Sequence, residues 1–429
     1  MECTNITTRY GGIPLYGIIL LSLAASLFLL TVLMLELVLL PKRRRRRQRT
    51  TTHQTDTSHE QELLTHVVIT GGSSGIGLSV AKELIRKGAK FITLLARNQT
   101  KLDQAQLELV QYAQSISIDN STGTGTGTDT GTGTSTRTTI HVVSVDVSDP
   151  QKIIQAAKEI CTPPDQNSNS NSTTTNIPVV PVPTSLLNVA GTSSCATFVD
   201  TDCAEFQRLM EINYLGSVYA TRAFLPYMLQ DSKYSDDSDD SDDGGSDGHE
   251  HDHTHEHKPR AIGFTSSQAG QLGIYGFTAY SASKFALRGM AEALQMEVSD
   301  QNVSVQVFFP PDTDTPGFEL ECVDKPEITK LISETSGLFS SEQVAKKMVQ
   351  SMLKTRPPFN VYIGLDGFML STLSAGMSPA HNMMDALCQI FLSGIFRFVS
   401  LFYLWDFRNT VQKVEKKNRH DGKGKGKSE

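Results

Sequence analysis

Paired cysteines are missing from this chain of 429 residues: its six cysteines are scattered, and no two form a CxxC pair. This spacing favours reduced thiols over a disulfide framework or a zinc site. Apolar residues are also scarce, at 38%, because low-complexity tracts dilute two strongly apolar terminal regions. The formal net charge of −7 sums basic and acidic runs of opposite sign, so it is no evidence for a nucleic-acid partner, and none is expected.

Charge is nearly absent from the first long apolar segment, since residues 11–40 contain no Lys, Arg or Asp and one acid, Glu36. Because about 20 apolar residues cross a bilayer core as a helix, this segment predicts a transmembrane anchor. Six positive charges follow at residues 42–47, and the positive-inside rule then places the bulk of the protein in the cytosol. A cleaved signal peptide would have a shorter apolar region preceded by its charges. Nuclear localisation is a weaker explanation of the arginines.

A second apolar segment lies near the other end, at residues 385–407, and carries Arg397 in its middle. Because a charge at mid-helix disfavours a simple span, we expect C-terminal membrane-associated helices that lie in the interface or form a short hairpin. Tyr403 and Trp405 would then lie in the headgroup region. The alternative is a buried helix of a soluble protein.

Between these ends, short apolar strands alternate with helical segments. Strands are predicted at residues 66–70, 91–96, 140–147, 185–191, 261–267 and 303–310. Such alternation predicts a parallel sheet covered by helices on both faces, which is a doubly wound α/β fold of the Rossmann type.

Three low-complexity tracts interrupt this order near residues 116–139, 162–178 and 231–258, and each follows a helix and precedes a strand. Their composition predicts disorder, and their position opposite the ligand crevice should leave the active site intact. The five histidines of residues 249–257 can bind a metal weakly, but a solvated loop is favoured and no metal site is expected.

The expected organisation is a short lumenal segment, a transmembrane anchor, a basic linker, a Rossmann-type domain, a membrane-associated region and a basic disordered tail. These parts cover residues 1–10, 11–40, 41–62, 63–358, 359–407 and 408–429, respectively.

A glycine-rich turn, TGGSSGIG, follows the first predicted strand and opens a helix. Its three framework glycines permit a tight turn, close approach of a pyrophosphate and packing of the helix on the strand. The phosphates then meet the free N–H groups at the start of the helix. The predicted cofactor contacts in this turn are Gly71, Ser73, Ser74, Gly75, Ile76 and Gly77.

The end of the second strand distinguishes the two nicotinamide cofactors. A carboxylate there would bind a ribose 2′-hydroxyl, whereas this chain has Arg97, with Lys101 four residues on. Cations accommodate a 2′-phosphate, so NADPH is favoured over NADH, although Lys101 can also be a solvated charge at a helix start. Asp146, followed by Val147, ends the third strand beside the adenine, and Asn188 ends the fourth strand beside the cofactor.

Tyr280 and Lys284 are separated by four residues in AYSASKFALRG, so they share one face of a helix. A free phenol titrates near about 10, and a nearby ammonium is expected to lower its pKa toward the range for acid–base work. Ser267, thirteen residues before the tyrosine, is expected at the end of the fifth strand, within reach of the reacting oxygen. Asn213 falls on the helix after the fourth strand, where it can hold a water.

Together these motifs resemble the short-chain dehydrogenase/reductase family, because TGGSSGIG, NVAG, the Asn213 segment, SSQAG and YSASK occur in the family's order. The resemblance implies that Tyr280 donates and accepts the proton, and that Lys284 lowers its pKa and holds the nicotinamide ribose. It also implies that Ser267, or its neighbour Ser266, orients the carbonyl and that Asn213 supports a water-linked proton relay. The family's usual NNAG is here NVAG, so a valine replaces one polar position.

Residues 264–298 and 310–319 resemble the members of this family that reduce the C3 ketone of 3-ketodihydrosphingosine to dihydrosphingosine. Those members are anchored to the endoplasmic reticulum, with the catalytic domain facing the cytosol. The resemblance implies NADPH as cofactor, a long-chain keto sphingoid substrate and contact with the lipid bilayer, and it leaves a homo-oligomer open. Thr313 and Thr315 are expected to offer polar groups to the nicotinamide carboxamide, and residues 364–377 to line the substrate approach.

Two rival functions follow from the same motifs. A retinoid or steroid reductase of this family would share every catalytic residue. A non-catalytic binding module that kept the fold is disfavoured by the intact Ser, Tyr, Lys and Asn set.

Overall fold

The computed structural model describes residues 57–121, 138–162, 180–230 and 258–425 of the chain. The predicted lumenal segment, the anchor at 11–40 and the arginine run at 42–47 lie outside these residues. So do most of the three low-complexity tracts, including the histidines of residues 249–257.

Among the described residues, the strands are β1 (His66–Thr70), β2 (Phe91–Ala96), β3 (Thr139–Ser144), β4 (Ser185–Asn188), β5 (Arg260–Thr265), β6 (Val303–Phe309), β7 (Thr313–Asp314), β8 (Phe339–Ser340) and β9 (Asn360–Tyr362). Seven of these strands are parallel and form one sheet in the order β3-β2-β1-β4-β5-β6-β9. The other two, β7 and β8, pair with each other outside this sheet.

Helices cover both faces of the sheet, which confirms the predicted doubly wound α/β fold. They are α1 (Gly75–Arg86), α2 (Gln99–Ser121), α3 (Pro150–Cys161), α4 (Cys203–Leu209), α5 (Gly216–Gln230), α6 (Thr278–Glu297), α7 (Pro316–Val323), α8 (Glu327–Ser333), α9 (Ser341–Met352), α10 (Gly364–Leu373) and α11 (Met383–Lys425). One core cluster joins α1, α2 and α9 to the sheet. A second cluster on the opposite face joins α3, α5 and α6, and contains Phe224, Phe264 and Leu287.

The sheet differs from the prediction at both of its edges. β3 ends at Ser144 rather than at residue 147, because its one neighbouring strand, β2, ends at the paired residue Ala96. The opposite edge is β9, which pairs with β6 and lies beyond the predicted domain end at residue 358. That boundary is therefore wrong, since three residues after a Pro-Pro pair carry no alternating pattern that would predict a strand.

The three low-complexity tracts each join a helix to the amino end of a strand, as predicted. They fall between α2 and β3, between α3 and β4, and between α5 and β5. Because the strands are parallel, all three tracts enter the sheet at the edge opposite the glycine turn that follows β1.

One continuous helix, α11, replaces both the predicted short hairpin and the predicted disorder of residues 408–425. It has 43 residues and is about 65 Å long; it contains no proline and one glycine before residue 422, Gly394. Its later part packs against α8, where Val414 contacts Ile328 and Ile332. By length and composition, Met383–His420 can cross a membrane, and none of its most apolar window is buried within the described structure, which argues against a buried core helix.

Candidate active site

A cavity of about 700 Å³ lies at the carboxyl ends of β1, β4, β5 and β6. In doubly wound sheets, ligands bind at this edge because the loops that follow the strands surround a crevice. The segments that line the cavity follow those four strands, and the first turns of α6 add Tyr280 and Lys284. The cavity therefore contains the predicted acid–base pair.

The glycine turn is shaped by close backbone contacts. Gly71 and Gly75 have φ angles of +70° and +53°, which side-chain-bearing residues rarely adopt. A Cβ on Gly71 would lie 2.7 Å from Cα of Ala190, and one on Gly77 would lie 2.3 Å from the carbonyl oxygen of Gly71. The turn thus holds its backbone against the segment after β4.

The start of α1 leaves its first amides available to an anion. Ser74 is the N-cap residue, and its side chain makes no capping hydrogen bond. The free amides of the first turn, at the positive end of the helix dipole, therefore remain available to an anion. Ser73 precedes this cap, and Ile76 lines the cavity. The predicted turn residues are therefore together at one helix start.

The predicted recognition residues of β2 and β3 also lie at neighbouring strand ends. Nη1 of Arg97 is 3.9 Å from Oδ2 of Asp146, and the Arg97 side chain is 64% exposed. Oδ1 of Asp146 accepts hydrogen bonds from the amide and hydroxyl of Ser148, at 3.0 and 2.7 Å. Val147 is a buried core residue, so its backbone rather than its side chain is available to a ligand. Lys101 lies in the first turn of α2.

Asn188 is buried at the end of β4, between the sheet and α5. Its Nδ2 donates to Oγ1 of Thr221 at 3.2 Å, while its buried Oδ1 accepts no hydrogen bond from any described residue. Nearby, Oγ1 of Thr70 accepts hydrogen bonds from the amides of Val189 and Ala190. These contacts bind the ends of β1 and β4 together beside the glycine turn.

Tyr280 has a pKa well above that of a free phenol. Burial is the largest cause, the Glu321 carboxylate adds to it, a hydrogen bond with Ser267 opposes it, and Asp312 raises it further. The net direction is opposite to the lowering expected from a nearby ammonium, because burial penalises the phenolate and the two nearby carboxylates add to that penalty. A protonated phenol is nevertheless the form that a proton donor requires in a reduction.

Lys284 is almost fully buried, at 4% exposure. Its Nζ donates to the backbone oxygen of Thr265 at 2.9 Å and lies 5.8 Å from the centroid of the Tyr280 ring. Burial lowers the pKa of Lys284 to about 8. A Cβ on Gly191 would lie 3.1 Å from Nζ, so the glycine of NVAG leaves room for this ammonium.

The two candidate serines occupy different positions. Ser267 lines the cavity and is close enough to Tyr280 to lower the pKa of the phenol, and its Oγ accepts from the amide of Ala269 at 3.1 Å. Ser266 is buried, and its hydroxyl donates to the backbone oxygen of Lys284 at 2.9 Å. Ser267 is therefore the serine within reach of the reacting oxygen, and Ser266 positions α6.

Asn213 lies in a π-helix, Met210–Leu215, between α4 and α5. Its Oδ1 accepts from the amide of Thr192 at 2.8 Å, and its Nδ2 donates to the oxygen of Thr192 and to Oγ of Ser283, both at 2.9 Å. The side-chain amide is fully buried and engaged on both sides, so it joins the segment after β4 to α6. Single π-turns of this kind are frequent at functional sites.

Thr313 and Thr315 form the loop after β6. The hydroxyl of Thr313 donates to the oxygen of Pro311 at 2.8 Å, and Oγ1 of Thr315 accepts from the amide of Phe318 at 3.1 Å, which caps α7. A Cβ on Gly75 would lie 3.1 Å from Cγ2 of Thr315. The loop thus lies against the glycine turn, while both hydroxyls are used locally.

Three charged residues near Tyr280 were missed by the sequence analysis. Nζ of Lys325 lies 3.4 Å from Oδ2 of Asp312 and 3.0 Å from Oε1 of Glu321. Both carboxylates line the cavity, and the Lys325 side chain is only 2% exposed. The four-residue spacing of Glu321 and Lys325 was a visible signal of pairing, but nothing local indicated that Asp312 joins them.

The C-terminal helices form part of the cavity wall. α10 contributes Met369, Leu370 and Leu373, which confirms that residues 364–377 help to line the site. α11 contributes a largely apolar set and one charge: Arg397, Ser400, Tyr403, Leu404 and Phe407.

The chain is similar to known proteins. Residues 65–126 and 254–321 match the short chain dehydrogenase family. The chain is 41% identical over 355 residues to the 3-ketodihydrosphingosine reductase of Bos taurus, covering 81% of this chain and 86% of that protein. It is 40% identical over 355 residues to the 3-dehydrosphinganine reductase of Danio rerio, with the same two shares, 81% and 86%. The chain belongs to the short-chain dehydrogenase/reductase family. A solved short chain dehydrogenase/reductase family protein is 20% identical, with a TM-score of 0.45, covering 68% of this chain and 90% of that one.

As a short-chain dehydrogenase/reductase, the protein is an oxidoreductase that uses a nicotinamide cofactor. Its residues fit such a cofactor: the left-handed backbone at Gly71 and Gly75 forms a tight turn before α1, and the start of α1, which has no side-chain cap, can receive phosphate. When bound, the dihydronicotinamide supplies a hydride. The buried ammonium of Lys284, beside Tyr280, would be available to donate hydrogen bonds to such a cofactor.

Proposed function

We propose that this protein reduces the C3 ketone of 3-ketodihydrosphingosine to dihydrosphingosine with NADPH, in sphingolipid synthesis. The observation that carries this proposal is that one cavity contains Tyr280, Ser267 and Lys284 and is also walled by apolar side chains of α10 and α11. An acid–base centre thus faces a surface suited to a long hydrocarbon chain. The similarity to the reductases of Bos taurus and Danio rerio supports the same substrate class.

The residues of the site divide the work on the ketone. Ser267 hydrogen-bonds the ketone oxygen and holds it beside the Tyr280 hydroxyl. As negative charge develops on that oxygen, Tyr280 donates its proton, which leaves the product as an alcohol. The Lys284 ammonium, held by the oxygen of Thr265, favours the phenolate that forms transiently. Asn213 holds the segment after β4 against α6. A water-linked relay then reprotonates Tyr280.

The choice of NADPH rests on two cations, Arg97 directly after β2 and Lys101 in the first turn of α2. Arg97 is exposed at the strand end, where a guanidinium can bind a 2′-phosphate in two-pronged fashion. The Arg97 guanidinium lies as far as 3.9 Å from the Asp146 carboxylate. This pairing is loose enough for the guanidinium to move toward a bound phosphate.

The chemistry of the substrate and the sequence of the chain both support membrane residence. A long acyl chain partitions into a bilayer at roughly 0.8 kcal/mol per CH₂, so the ketone must be taken up at the membrane surface. The apolar segment 11–40 with its following arginines and the apolar helix Met383–His420 support an anchored enzyme. We place it in the endoplasmic reticulum membrane with the catalytic domain facing the cytosol.

A substrate comparison tests the proposal. The full chain in detergent or vesicles is given 3-ketodihydrosphingosine, a retinaldehyde or a ketosteroid, each with NADPH and then with NADH. We expect the fastest turnover with 3-ketodihydrosphingosine and NADPH. Faster reduction of the retinoid or the steroid would assign the protein to that rival function, and cofactor binding without any turnover would indicate a non-catalytic module.

A further inference from the structure

Two acids that share one lysine lie together close to Tyr280. Asp312 and Glu321 share one cation, Lys325, so the three side chains sum to one negative charge when all are ionised. The Glu321 side chain is 9% exposed and that of Lys325 is 2% exposed, whereas that of Asp312 is 31% exposed. The lysine is thus enclosed, while both acids line the cavity.

Aromatic rings place this group next to the reacting centre. The Nζ of Lys325 lies 5.5 Å from the centroid of the Phe277 ring and 5.1 Å from that of Phe318. The Phe277 ring is in turn 5.3 Å from the ring of Tyr280. The carboxylates therefore lie about one side chain away from the phenol that protonates the ketone.

The proposed substrate carries a complementary charge, and the following inference rests on that proposed function. In 3-ketodihydrosphingosine, the carbon next to the ketone bears an amino group that is protonated at neutral pH. We propose that Glu321 and Asp312, which both pair with Lys325, accept hydrogen bonds from this ammonium and select an amino ketone over a ketone without nitrogen. An ammonium brings this group of three side chains to neutrality, while an uncharged ketone leaves the excess negative charge of the group without a partner inside it.

A second observation connects this recognition to the chemistry. Both carboxylates raise the pKa of Tyr280, because a negative neighbour disfavours a second negative charge. An ammonium between them and the phenol offsets that effect and makes Tyr280 a stronger acid when the amino ketone is bound. The same site thus links substrate choice to the rate of protonation.

The direct test compares two substrates in wild type and in Glu321→Gln. The substrates are 3-ketodihydrosphingosine and 1-hydroxyoctadecan-3-one, which keeps the ketone, the hydroxyl and the chain but lacks the amine. Wild type should prefer the amino ketone in kcat/KM by about 10- to 100-fold, the range of a charged hydrogen bond. Glu321→Gln should remove most of this preference, because it should slow the reduction of the amino ketone and leave that of the other ketone unchanged. Glu327→Gln, which changes an exposed acid paired with Lys417, should preserve the preference.

A charge-balance variant separates recognition from a purely structural role. Glu321→Gln makes the group neutral, whereas Glu321→Gln with Lys325→Met restores one negative charge on Asp312. We expect the double variant to regain part of the preference for the amino ketone. A wild type with no preference, an equal loss on both substrates in Glu321→Gln, or no regain in a double variant that still binds NADPH would each overturn the inference. A wild type that fails to reduce either ketone would instead overturn the proposed function.

Discussion

The two edges of the parallel sheet bury polar groups in different ways. At the amino edge, His66 on β1 bonds the oxygen of Pro181 and Oγ1 of Thr93 at 2.7 and 2.9 Å, and buried Arg260 bonds Glu62 at 3.1 Å. At the carboxyl edge, Lys284 and Tyr280 are also desolvated, but they line an open cavity. Burial shifts pKa values at both edges, yet only at the carboxyl edge can a ligand reach the shifted groups.

This contrast explains how the chain tolerates its long tracts. The tracts enter the sheet at the amino edge, where Thr184 accepts from the amide of His66 and Ser185 donates to the oxygen of Leu63. These satisfied groups hold the strand ends in place independently of what connects them. The carboxyl edge, whose loops form the cavity, has no such tract.

The largest effect is expected from a substitution at the carboxyl edge that removes the hydroxyl of Tyr280. Tyr280→Phe deletes the proton donor while keeping the ring against Phe277, so we expect turnover to fall about 10³-fold with NADPH binding retained. Steady-state rates and cofactor fluorescence titration measure the two quantities. Activity within tenfold of wild type would show that another group protonates the ketone.

A substitution of His66, which is buried at the amino edge, should affect the stability of the fold and not the turnover. Burial lowers the pKa of His66 from 6.5 to about 4, so the unfolded chain binds a proton that the folded chain does not. The contribution of His66 to the free energy of unfolding is therefore fully present above about pH 6.5, and it falls by about 3 kcal/mol as the pH drops to about 4. His66→Gln should flatten this part of the pH dependence, measured by denaturant unfolding at several pH values. An unchanged slope in the variant would assign the acid sensitivity to other groups.

A pH profile sharpens the role of the lysine. Because burial lowers the pKa of Lys284 to about 8, its ammonium is lost as pH rises above that value. We expect kcat/KM to fall about tenfold per pH unit on the alkaline side. In Lys284→Arg the guanidinium stays charged, so the alkaline limb should disappear even if the plateau is lower. A limb that persists at the same pH in this variant would belong to a different group.

The smallest expected effect concerns cofactor choice at the exposed end of β2. Arg97→Ala should reduce the preference for NADPH over NADH by about tenfold, a modest loss because Arg97 is solvated and close to Asp146. Arg86→Ala provides the control, since that arginine pairs with Glu83 on α1. The ratio of kcat/KM values for the two cofactors is the measurement. Equal loss with both cofactors would indicate a structural role.

Several parts of the site depend on short-range rules and were predictable. The glycine turn requires left-handed backbone at Gly71 and Gly75, which leaves a visible residue pattern. The Tyr280 and Lys284 spacing needs only one helix. β9 was not predictable, because a strand of three residues depends on the edge of β6 for its pairing.

The C-terminal region shows the same limit. Residues 364–377 were expected at the substrate approach, and α10 lies there. The single long α11 was not foreseen, since an apolar stretch followed by a basic tail does not indicate where a helix ends.

What the sequence determined by itself was the alternation of the first six strands of the sheet with helices, the glycine turn and the shared helix face of Tyr280 and Lys284, because each follows from local conformation or helix periodicity. The tertiary structure decided that Asn213 binds Ser283, 70 residues away, and that Ser267 lies close to Tyr280 while Ser266 bonds the backbone of Lys284. It also decided that two carboxylates after β6 raise the pKa of Tyr280. Desolvation and Coulomb interactions act through space, so groups distant in the chain set them.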